Sequence, residues 1–175
     1  MSITVYETSP GRSCQRPRPA PVRSLVGALR KHGLMSTPDK PPSGRDVIAQ
    51  FLPQSPFVAK LGIVADVLAD DQVRLRLPWD PSNVTIGDMV HGGAIATLAD
   101  LTVMAAAWCD ADAPPELRGV TVSMALDFMA PARATDVIGV GRVLRRGRSL
   151  VNCEAEVVDP QDRLIAKALA TYKIG

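Results

Sequence analysis

The sequence predicts an α+β domain in which a curved antiparallel β-sheet of five to six strands wraps around one long central α-helix. Three observations lead there. The run from Gly92 to Trp108 is rich in Ala and Leu and too long for a strand, so it reads as a helix. Between Gly92 and Cys109 the polar side chains are Thr97, Asp100 and Thr102 alone. A surface helix would show a full polar face, so this one must be covered on most sides. Two strand-like segments precede it and four follow, joined by turn-forming stretches that favour antiparallel pairing.

Residues 1–45 stand apart. They carry eight Lys/Arg against two acids and seven prolines, a charge of +6, whereas the remaining 130 residues carry twelve basic and sixteen acidic side chains, or −4. The net +2 is thus the average of a basic Pro/Arg-rich arm and a mildly acidic domain over 46–175, which gives no support to a nucleic-acid-binding core. The arm lacks the apolar content to bury itself and is expected to be disordered. A solvated tail, an over-extended start with initiation at Met35, and an Arg-rich transit or surface-binding segment are its three readings.

From residue 46 the pattern becomes regular. "RDVIAQFLPQSPF" predicts a short helix stopped by Pro53 and Pro56. "KLGIVADVLADD" and "QVRLRLPW" follow as strands, with Val73, Leu75 and Leu77 alternating against Arg74 and Arg76. "PSNVTIGDMVHGG" is a Pro/Asn/Gly loop leading into the helix, and "DADAPPELR" a linker leaving it. In the next strand Val120, Val122, Met124, Leu126 and Phe128 alternate strictly, which puts Thr121 on the opposite face. "RRGRS" signals a hairpin around Gly147, and "DPQDR" a turn before the final strand.

No membrane span, secretory signal or metal-ligand spacing is expected, and no cofactor is implied. Cys14, Cys109 and Cys153 are odd in number and widely spaced, which fits a reducing, cytoplasmic setting. There is no Gly-x-Ser-x-Gly elbow, and the two histidines are His32 and His91, so a Ser-His-Asp hydrolase is disfavoured. Cys109 reads as core rather than nucleophile.

The helix start suggests chemistry. Gly92 and Gly93 leave a loop and open a helix, so their N–H groups lack intrahelical acceptors and can point at an anion. With no side chains there, a carbonyl can approach closely, as an oxyanion hole requires. Asp100 is a carboxylate on a covered helix, costly unless hydrogen-bonded or hydrated, and a candidate base or nucleophile. Eight residues at about 1.5 Å rise separate it from Gly92 by about 12 Å, too far for both to touch one carbonyl carbon. If both act, they come from two chains packed about a two-fold axis, with two equivalent sites per dimer.

"HGGAIATLAD", "GVTVSMALDFMAPAR" and "RVLRRGRSLVNCEAEVVDPQDRLIAKALATY" resemble the PaaI-like hotdog-fold acyl-CoA thioesterase family over about residues 50 to 173. The resemblance implies the hotdog fold, an acyl-CoA substrate, and assembly as a homodimer or dimer of dimers. It places Gly92 on the oxyanion-hole amide and Asp100 on the catalytic carboxylate. His91 falls on the motif His that orders the loop, and Thr121 on a Ser/Thr position that orients water. Asn83 resembles the family's loop Asn, though eight residues separate it from His91 where relatives often have six. Gly93, Met104 and Trp108 are candidates for contact with substrate, together with Met124, Phe128 and Trp79 for the acyl group. Arg145, Arg146 and Arg148 are candidates for the phosphates of CoA. A non-catalytic acyl-CoA-binding module is the alternative from another class, and a hotdog hydratase or dehydratase the alternative enzyme.

Overall fold

The computed structural model describes residues 42–70, 72–109, 111 and 118–174. The expected basic arm lies outside the described residues as far as residue 41. Its last four positions, 42–45, are described, and Ser43 caps the first helix. The Ser43 hydroxyl accepts from the Asp46 N–H (3.3 Å) and the Asp46 carboxylate accepts from the Ser43 N–H (2.9 Å), a reciprocal cap. This helix, α1 (Gly44–Gln54), buries Ile48 and Leu52.

The prolines behave differently from the expectation of two stops. Pro53 sits within the last turn of α1, and Pro56 opens a second short helix, α2 (Pro56–Leu61). Gly62, in the left-handed region at φ 69°, ends α2.

Strands β1 (Val64–Leu68) and β2 (Val73–Leu77) follow, then a small ladder within the expected loop, β3 (Val84–Ile86) and β4 (Met89–Val90). The central helix α3 (Gly92–Cys109) comes next, then β5 (Gly119–Phe128), β6 (Val137–Arg146), β7 (Leu150–Val158) and β8 (Leu164–Ile174). Six strands form one antiparallel sheet in the order β1-β2-β6-β7-β8-β5. β5 and β6 are consecutive yet not neighbours. β5 runs at the sheet's far edge and pairs with β8 alone.

The sheet curves around α3, whose Leu98, Ala99, Val103, Ala105 and Ala107 are fully buried. Two glycines let the helix settle onto β6. A Cβ at Gly139 would overlap Thr102 Oγ1, and one at Gly141 would stand 2.8 Å from the Thr102 carbonyl oxygen. α3 is long and apolar enough to cross a membrane by length and composition, but 67% of it is buried inside the domain. The sheet's outer face is closed by charge pairs: Arg142 reaches Glu154 (3.3 Å), and Lys167 reaches Glu154 (3.1 Å) and Glu156 (2.9 Å).

Strand β5 departs from the strict alternation of its sequence. Thr121 pairs with Tyr172 and Ser123 with Thr171, so Val122 is an extra residue, a β-bulge. Before it, Thr121 points toward the helix. After it, Met124 and Leu126 do, while Val120 and Val122 are exposed. The bulge therefore moves Thr121 onto the face that alternation denied it.

Candidate active site

One stripe of α3 is left open by the chain's own sheet. Gly93, Ala96, Thr97, Asp100, Leu101 and Met104 recur at helical spacing, and none of them is buried. Asp100 lies midway along it. The Thr121 hydroxyl donates to Asp100 Oδ1 at 2.6 Å, while Oδ2 makes no hydrogen bond to a described residue. A half-buried carboxylate is thus held by one oxygen and free at the other, a state in which it can accept a proton.

The N-terminus of α3 is the second half of the site. The His91 N–H donates to the Asn83 carbonyl oxygen (2.8 Å), so the eight-residue spacing is absorbed by the β3–β4 ladder and the two residues still meet. The Asn83 carboxamide makes no bond to a described residue. His91 Nδ1 accepts the Gly93 N–H at 2.8 Å, which leaves Nε2 as the protonated nitrogen of a neutral ring. The Gly93 amide is therefore occupied, a correction to the expectation that both glycines offer donors. The Gly92 N–H has no acceptor among the described residues. The Phe128 ring lies beside it, with Cε1 and Cζ each 3.6 Å from where a Gly92 Cβ would stand. Since α3 is continuous from Gly92 to Cys109, Gly92 and Asp100 of one chain stay about 12 Å apart.

The sequence profile of the thioesterase superfamily matches residues 87–166, a span that contains the His-Gly-Gly turn, Asp100 and Thr121. Over these residues the chain is similar to the thioesterase superfamily. Its fold is the hotdog fold, and thioester or ester hydrolysis is the activity class of the superfamily domain. A thioesterase family protein from Silicibacter pomeroyi is similar in structure, with TM-score 0.69 and 25% identity over 76% of this chain and 100% of that one. Zebra fish thioesterase superfamily member 2 shares the fold, with TM-score 0.64 and 24% identity over 77% and 99% of the two chains. A Thermoplasma acidophilum protein provisionally named an esterase is 23% identical over 122 residues, 67% of this chain and 87% of its own length.

Other expected residues of this domain are placed less centrally. Trp108 is 4% exposed and spends its indole N–H on the Tyr172 hydroxyl (3.2 Å), so it is core rather than a wall of the open stripe. Met104 and Met124 are half-buried, and Phe128 is exposed beside Gly92. Trp79 is tied into the loops, with its backbone N–H donating to Asp136 (2.8 Å). At the β6–β7 hairpin, Arg145 and Arg148 line an open cleft of about 360 Å³ with Ser149 and Asn152, and neither has an ion-pair partner among the described residues. Arg146 is spent differently from the expectation, donating to the Ala107 carbonyl oxygen (3.0 Å) at the C-terminus of α3. Cys109 and Cys153 are buried, and burial pushes both thiols up to about 11, far from a nucleophile's range. Sequence reasoning missed Tyr172, which carried no signal beyond being an aromatic residue in an apolar strand.

Proposed function

We propose that this thioesterase hydrolyses acyl-CoA, working as a homodimer or a dimer of dimers whose active sites lie between chains. The thioester carbonyl oxygen sits on the Gly92 N–H, where negative charge develops in the transition state. One such donor contributes about 3 kcal/mol to the barrier reduction. Asp100 of the partner chain takes a proton from water, the hydroxide formed attacks the carbonyl carbon, and the tetrahedral intermediate collapses with loss of the CoA thiolate. The observation that carries the reading is the Asp100–Thr121 hydrogen bond on the open stripe of α3. It occupies Oδ1 and leaves Oδ2 available to take a proton from water. His91 orders the turn through Gly93, and Asn83 stands ready to polarise substrate or water. Phe128 flanks Gly92, and Arg145 and Arg148 supply cations for the CoA phosphates.

A thiol-release assay over a panel of acyl-CoAs tests this. Wild type should release CoA, while Asp100→Asn and Asp100→Ala should lose turnover by roughly a hundredfold or more with the fold intact. Binding of acyl-CoA without any release would point to a non-catalytic acyl-CoA-binding protein. Wild-type turnover in Asp100→Asn would remove Asp100 from the mechanism.

A further inference from the structure

Thr121 on β5 and Tyr172 on β8 are direct cross-strand partners, and each grips α3 at a different point. Thr121 holds Asp100 (2.6 Å), and Tyr172 accepts the indole N–H of Trp108 (3.2 Å), eight residues and about 12 Å further along the helix. Elsewhere on this seam the surfaces are small. β8 offers Ala166, Ala168 and Ala170, all buried. Methyl-on-methyl packing fixes how closely a helix approaches but restrains its rotation and slide weakly. Two directional bonds at separate points restrain both.

The second latch has a prepared place. A Cβ at Gly119 would overlap the Tyr172 hydroxyl and stand 2.8 Å from its Cε1, so the ring fits only because that position is glycine. Tyr172 is 4% exposed, and its own O–H has no acceptor among the described residues. Burial, with the charge of Asp100 adding to it, raises the pKa of the phenol and keeps it protonated.

We infer that Tyr172 is a positioning residue for the thioesterase reaction: through Trp108 it holds α3 in the rotation that sets Asp100 against Thr121. This rests on the reading of Asp100 as the acting base. Tyr172→Phe, which keeps the ring, should lower kcat roughly tenfold while KM stays within about twofold, because the substrate contacts are untouched and the base is misaimed. Trp108→Phe removes the same bond from the other side and should do the same. In a Thr121→Ala background the Tyr172→Phe loss should largely vanish, since both act on one carboxylate. Wild-type kcat in Tyr172→Phe at a temperature where it is folded, or losses that multiply fully in the double variant, would overturn the inference. Asp100→Asn separates the two ideas. If it is inactive while Tyr172→Phe is unimpaired, only the positioning role fails; if it is fully active, the base reading itself fails.

Discussion

Asp159 shows how one side chain can close a turn. Its Oδ1 accepts the N–H groups of Gln161 (3.0 Å) and Arg163 (2.9 Å), and its Oδ2 accepts the Arg163 Nε–H (2.9 Å), which together set the β7–β8 connection. These bonds, the Arg163 backbone N–H first, hold its carboxyl below the usual carboxylate range. A depressed folded-state pKa adds stability that is present above the unfolded value of about 4 and is lost as pH falls through the folded one. Melts of wild type and Asp159→Asn from neutral pH down to about pH 3 should therefore converge on the acid side. A gap that stayed constant with pH would assign the effect elsewhere. At this scale the sequence was informative where chemistry is carried by the main chain or by charge: Gly92 and Asp100 stand out because a bare helix start and a carboxylate in an apolar run are rare. It was uninformative where a group's partner is remote. Nothing in "RRGR" says that Arg146 turns to a helix end 39 residues earlier, and nothing in "HGG" says that His91 takes the second glycine's N–H.

Among the elements, α1 depends on a single close approach. Its first residue, Gly44, donates its N–H to the Ala111 carbonyl oxygen (2.9 Å), and a Cβ there would overlap the Trp108 carbonyl oxygen and lie 2.8 Å from that of Ala111. The N-terminus of α1 thus meets the C-terminus of α3, ends of opposite partial charge. Helix propensity alone would make Gly44→Ala stabilising by about 1 kcal/mol. The clash is with backbone, which cannot swing aside, so the net effect should be destabilisation of about 2 kcal/mol, read from urea unfolding. A stabilised variant would mean that α1 docks more loosely than this geometry requires. Element types were legible because length and Ala/Leu content mark α3 and a period of 2 marks β2. The two-helix start was not, since Pro56 could equally end one helix or begin another, and the β3–β4 ladder was hidden in a segment too short to show a period.

The whole molecule presents two sheet edges of unlike character. β1 is short, bulged and guarded by the Asp66–Arg76 ion pair (3.0 Å), features that discourage pairing with another chain. β5 is ten residues long and exposes Val120 and Val122, each 57% accessible, next to a free strand edge. The open stripe of α3 lies on the domain's same β5 flank, joined to it through Thr121. An assembly through this flank would place Asp100 of one chain near Gly92 of another. Val122→Lys should then shift the protein toward monomer in sedimentation equilibrium and lower thioesterase activity in parallel. Full activity in a monomeric variant would contradict sites shared between chains. A single sequence conveyed this requirement only through the helix rise between Gly92 and Asp100, a distance that no local pattern alters.

The bulge at Val122 changes what strand β5 has to preserve. Side chains on a regular strand are constrained by identity, apolar inward and tolerant outward. Here the constraint falls on length. Val122 projects away from the helix and is not needed by the domain's own core, but its presence as one residue too many is what brings Thr121 round to Asp100. A side chain that the domain's own core does not use thus occupies a position whose place in the count cannot be given up.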